Sequence, residues 1–259
     1  MPLMKTSNPA LGDKTFTDLA RRGGQFGGAI DSTESMTLSG TVNKTGILLL
    51  CSIATAAWTW RAYVQSDGDA SFVGGLMIAG LIGGFIVAMI TIFKKEWSPI
   101  TAPIYALLEG LVLGGISAVT NARYPGIGIE AVALTFGTLF VLLLAYSSGL
   151  IKVTDKLRLG IVAATGGIAI FYLLQMVLGF FHVYFATING NGLIGIGFSV
   201  VVVIVAALNL VLDFDFIETG VRVGAPKYME WYGAFGIIVT LVWLYLEILR
   251  LLSKVRSRN

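Results

Sequence analysis

The chain has 259 residues, of which 56% are hydrophobic and 13% charged. An ordinary soluble domain carries about 25% charged residues, so this composition excludes one and describes a polytopic membrane protein. The net charge of +3 arises from basic residues in connections and tails, with no basic face for nucleic acid, and the lone Cys51 excludes a disulfide framework.

Residues 1–44 are polar, mixed in charge and rich in Ser, Thr and Gly. The stretch is too long and too charged for a secretory signal and reads as a flexible cytoplasmic tail over 1–45. A short helix over 17–22, stopped by Gly23 and Gly24, fits within it. A spanning helix needs roughly 20 apolar residues. Seven runs reach this: 46–64, 72–93, 100–121, 131–151, 159–181, 193–217 and 231–252. The expected fold is therefore all-α, a seven-helix transmembrane domain over 46–252 with a short basic tail over 253–259. Pro103 falls in the first turn of the third run, where proline is tolerated. Trp58, Trp60, Trp97 and Trp231 lie near run ends, as interfacial anchors do. No internal repeat is visible, which argues against an inverted-repeat transporter. Gly74, Gly75, Ala79, Gly80, Gly83 and Gly84 on the second run, with Gly110 and Gly114 on the third, allow close helix packing. That packing is either inside one monomer or across a homodimer face.

Lys and Arg in the connections set orientation. The tail holds Lys5, Lys14, Arg21, Arg22 and Lys44. The second connection holds Lys94 and Lys95, the fourth Lys152, Lys156 and Arg158, the sixth Arg222 and Lys227. The first and fifth hold none, and the third only Arg123. The amino terminus is thus expected in the cytoplasm. Seven crossings then place the carboxyl terminus outside, against the charge of Lys254, Arg256 and Arg258. Either the short tail is tolerated or the last run does not cross fully.

Acids inside apolar runs are costly and face protein or a water-filled path. Four qualify: Glu109, Asp213, Asp215 and Glu247. Helical rise puts Asp215 and Asp213 about 3 and 6 Å from the end of the sixth run, Glu109 about 13 Å into the third and Glu247 about 24 Å into the seventh. Asn209 lies one turn from Asp213, on the same face. In one reading these acids line a cation or proton path, where a shared proton closes a site and its loss opens one for Ca²⁺. In the other, Asp213, Asp215, Glu218 and Glu230 sit at a cytoplasmic interface paired with Arg222 and Lys227, and Glu247 pairs with Arg250 one turn on. His182, the single histidine, reads as an interfacial residue. The last run has no lysine for a retinal, and no Gly-x-Gly-Asp of an intramembrane aspartyl protease occurs. One His and one Cys make a transition-metal centre improbable, and no Gly-x-x-x-x-Gly-Lys loop exists for phosphates. No enzyme and no cofactor is expected.

The stretch Leu212-Asp-Phe-Asp-Phe-Ile-Glu218, then Gly224-Ala-Pro-Lys-Tyr-Met-Glu-Trp-Tyr232, then Leu244-Tyr-Leu-Glu-Ile-Leu-Arg-Leu-Leu252 resembles the carboxyl-terminal half of the bacterial Bax inhibitor-1-like family, the transmembrane Bax-inhibitor-motif proteins. Glu109-Gly-Leu-Val-Leu-Gly114 is similar to its third-helix signature. The resemblance covers residue 46 to the end. It implies seven helices with the last one central, and a pH-sensitive calcium leak gated by two acids on the sixth and seventh helices. By motif these are Asp213 and Glu247, which would also meet the transported calcium. Lys94 and Lys95 stand where family members hold a basic latch for the sixth-helix acid. The chain departs in pairing Asp with Glu and in the spacing of 247 − 213 = 34. A hairpin centred near Gly224 sets Asp213 level with Phe235 and leaves Glu247 about 18 Å away, so Glu109 and Glu230 stand as alternative partners of Asp213. A second function is also open: a non-enzymatic interaction protein regulating a membrane protease or a stress or cell-death pathway, with the amino-terminal tail as its handle. The implied partners are the lipid bilayer, calcium and protons, and in the second case another membrane protein.

Overall fold

The structure, a computed structural model, describes residues 35–181, 188 and 190–258. The expected helix over 17–22 and His182 lie outside them. The described chain forms seven long helices: α1 Leu38–Gln65, α2 Ala70–Phe93, α3 Ser98–Arg123, α4 Ile127–Ser147, α5 Asp155–Phe180, α6 Leu193–Arg222 and α7 Met229–Arg256. A single 3₁₀ turn, Lys95–Trp97, leads into α3. Each of the seven is long and apolar enough to cross a membrane, and no strand is present among the described residues beyond an isolated bridge between Ser35 and Pro226.

The helices outrun their apolar cores because polar termini carry them further. Thr37 caps α1, its hydroxyl accepting from the Gly40 amide, so α1 starts eight residues before the apolar run and takes residues 38–45 out of the expected tail. Asp69 caps α2, its carboxylate accepting from the Ser71 amide and hydroxyl, bonds that hold its pKa below the usual value. The Thr154 hydroxyl caps α5. Helix α3 starts at Ser98, so Pro103 sits in its second turn rather than its first.

Helix α7 is the best-covered element. Its apolar window is 67% buried, against 6% for α5. It packs on α1, α3, α4 and α6, while α2 lies on α3 and α5 lies on α6. The core is built around α7, with Tyr232, Phe235, Ile238 and Leu244 all within 1% of full burial. Large side chains such as Phe85, Phe140 and Leu173 remain exposed on the outside. On a spanning bundle that surface meets acyl chains.

Contacts at its two ends show that the last helix runs from one end of the bundle to the other. At the end where α1 begins, the Glu230 carboxylate meets Lys44. At the far end, Arg256 bonds Glu130 at the start of α4 and the Pro125 carbonyl. The 28 residues of α7 rise about 42 Å, long enough to cross fully. The glycines of α2 divide. A Cβ on Gly80 would meet the Leu108 carbonyl at 2.6 Å, and Gly83 and Gly84 also face α3. Gly74 and Gly75 have nothing within 4 Å. Close packing within one chain thus accounts for Gly80, Gly83 and Gly84.

Candidate functional site

Polar groups gather at three levels along α6 and α7. The first is where α1 and α7 begin. Glu230 is fully buried. Its Oε1 accepts from the Thr37 amide at 2.9 Å and the Thr37 hydroxyl at 2.7 Å. Lys44 binds its other oxygen and Lys227 lies 3.0 Å from Oε1. Beside it the Met36 amide donates to the Ala225 carbonyl at 2.7 Å, and the Ser98 hydroxyl to the Tyr228 carbonyl at 2.9 Å. The Gly224–Glu230 turn therefore fastens the starts of α1 and α3 to α7. Glu230 is taken up by this clamp and is not the partner of Asp213.

The second level is mid-bundle. Asp213 is fully buried, and its Oδ2 accepts from the Thr240 hydroxyl of α7 at 2.5 Å. One turn earlier, the Asn209 amide donates to the Thr165 hydroxyl of α5 at 2.8 Å. Because α6 continues to Arg222, Asp213 lies about 14 Å from its end, deeper than the 6 Å expected from an apolar run ending at 217. Glu109 lies about 17 Å into α3, at a similar depth. Its carboxylate bonds Tyr105 and faces the notch at Gly84 on α2.

The third level lies toward the opposite face. Glu247 is 3% exposed and accepts from the Tyr172 hydroxyl at 3.0 Å and from Arg250 at 3.2 Å. Thr240, the residue that reaches Asp213, is seven positions earlier, about 10 Å along the axis. The direct pairing of Asp213 with Glu247 is thus replaced by two separate sites: Asp213 with Thr240, Glu247 with Tyr172 and Arg250. The Arg250 pairing is the one that the i+3 spacing anticipates. Thr240 is the one hydroxyl between Tyr232 and Tyr245, a signal that was there to be read.

Asp215 points elsewhere. Arg158 of α5 binds it at 2.7 Å, and it lines a cavity of about 820 Å³ between α1, α4 and α6. Glu218, held by Tyr146 and by Arg222 at 2.9 Å, and Lys152 line the same cavity. Phe214 and Ile237 form part of its wall, so the residue next to Asp213 borders the open space. Lys94 is exposed at the end of α2, and the Lys95 ammonium lies 5.8 Å over the Tyr232 ring of α7. No cluster of three or more His, Cys, Asp or Glu side chains suited to a metal exists among the described residues.

A family model described as Bax inhibitor 1 like matches residues 8–257. The chain belongs to the Bax inhibitor 1-like family. Nearly the whole length is covered, including the amino-terminal stretch that the motif resemblance left out. No curated protein and no solved structure matches the chain. Family membership and seven spanning helices together make this a multi-pass membrane protein of the Bax inhibitor 1-like family.

Proposed function

We propose that this protein is a non-enzymatic, pH-sensitive cation leak of the bacterial inner membrane, with calcium as the ion carried and Asp213 as the gate. The observation that carries the proposal is the place of Asp213: fully buried at the α6–α7 contact, yet next in sequence to the wall of a cavity open at one end of the bundle. A carboxyl in such a place can take up a proton, which removes a charge the interior tolerates poorly. Without the proton, its oxygens can accept a cation. Calcium prefers six or more oxygen ligands, so Asp213 serves as a point of transit, with water and backbone carbonyls completing the shell. Glu247 is the second acid of the path, held by Arg250 until an ion or proton competes. Glu109 flanks the path at the depth of Asp213, and Asp215 lines its mouth. Lys94 and Lys95 act as a latch through the turn that packs on α7. The basic residues of the even connections support a cytoplasmic amino terminus.

The test is Ca²⁺ uptake into dye-loaded proteoliposomes at pH 6, 7 and 8, with Asp213→Asn beside the unaltered chain. A pH-dependent flux that loses its pH dependence in Asp213→Asn is the expected result. Flux equal to that of empty liposomes at every pH would sink the leak, and an unchanged profile in the variant would sink the gate. A second reading, the interaction protein with its amino-terminal handle, draws on the docking of Ser35–Thr37 against Ala225, Pro226 and Glu230. A partner gripping the tail would pull directly on α7.

A further inference from the structure

At the face where α7 ends, a polar cavity of about 470 Å³ opens between α3, α5 and α7. Arg123, Arg250 and Lys254 line it together with Tyr124, Gln175 and Asn191, and no carboxylate is among its lining residues. The acids on this face lie outside the cavity's lining, and Asp67 stands exposed in the turn between α1 and α2. Glu130 is bound to Arg256, Asp69 caps α2, and Glu247 is held by Arg250 and Tyr172. The connection between α5 and α6, residues 181–192, contains no Asp or Glu. With Glu247 counted against the three cations, two positive charges are left over.

The cations also retain donors. Lys254 is 7% exposed, and its ammonium gives two hydrogens to the Ile188 and Gly195 carbonyls, each at 3.0 Å. A lysine has three to give, so one is left. Arg250 uses NH1 on Tyr172 and Glu247, which leaves the rest of its fork. Arg123 lies 5.6 Å from the Tyr124 ring and makes no ion pair among the described residues. Unused donors with surplus positive charge recognise an oxyanion, and guanidinium forks match the geometry of phosphate as well as carboxylate.

We infer that this cavity is a binding site for a phosphate group. The phosphate comes from one of two sources, the headgroup of an anionic lipid at the bilayer edge or a small phosphate compound in the water beyond it.

Arg123 is exposed and makes no ion pair among the described residues, so Arg123→Gln removes a ligand with little disturbance of the fold. Arg256→Gln, which removes the same charge from the same face outside the cavity, is the control. The purified full-length protein is melted in detergent with inorganic phosphate or with chloride at equal ionic strength. It is also examined by native mass spectrometry after incubation with phosphatidylglycerol or phosphatidylcholine. Stabilisation by phosphate over chloride, weakened at least about tenfold in apparent affinity by Arg123→Gln but not by Arg256→Gln, identifies a soluble phosphate site. Selective retention of phosphatidylglycerol, lost in the same pattern, identifies a headgroup site. Neither effect, or equal loss in both variants, overturns the proposal.

Discussion

Glu230 shows how much one side chain can hold. Its carboxylate binds the Thr37 amide and hydroxyl, Lys44 and Lys227 while fully buried. Removing one partner from a buried pair strands the other, so Glu230→Gln should cost about 3 kcal/mol, read as a lower melting temperature in detergent. Gly40 explains itself through the same residue. A Cβ there would land on the Glu230 carboxylate, so Gly40→Ala should destabilise by evicting it. In a Glu230→Ala background the obstacle is gone. Gly40→Ala should then add almost nothing, and additive losses in that double variant would mean the glycine serves another purpose.

Among the elements, α1 and α3 share the most extensive contact, and glycines let them approach. A Cβ on Gly110 would strike the Ser52 carbonyl and the Thr55 hydroxyl, and one on Gly114 the Ala56 backbone. Backbone cannot step aside as a side chain end can. Gly114→Ala should cost about 1–3 kcal/mol through forced separation of the helices. Gly74→Ala, with nothing within 4 Å, should leave stability unchanged or slightly raised. Melting the two variants side by side decides it, and equal effects would contradict the packing described. Apolarity made all seven helices legible in the sequence but misplaced several ends, because α1 and α6 continue through polar residues. That error carried into the site. The turn between α6 and α7 is centred nearer Pro226 than Gly224, which moves Asp213 from the level of Phe235 to Thr240. The buried acids could be read from burial cost alone. Tyr105, one turn before Glu109 on α3, could be read from its spacing too; Arg158 and Tyr172 could not, because they come from α5, whose place depends on how the bundle winds around α7.

For the whole molecule, seven complete crossings put the start of α1 and the end of α7 on opposite faces, despite the basic residues at both. Single cysteines at Lys152 and Ser257, in a Cys51→Ser background, should react with a membrane-impermeant maleimide from opposite sides of sealed vesicles. Labelling from the same side would refute the full crossing of α7. The number of spans and the basic connections point to this arrangement, while the basic residues of the carboxyl-terminal tail point against it. The clamp at Glu230 was hidden, because it joins residues 193 positions apart.

That separation dictates an order of events during synthesis. The first span enters the bilayer with the Lys44 ammonium waiting for a carboxylate that leaves the ribosome only with the last span. Until then the bundle is an open bracelet whose clasp has not been made, with the α7-binding faces of α1, α3, α4 and α6 still uncovered. Intermediates of this kind are the ones most exposed to misassembly. A nascent chain truncated before Glu230 would keep that lysine unpaired in the membrane, a mark by which proofreading proteases could tell an unfinished copy from a finished one.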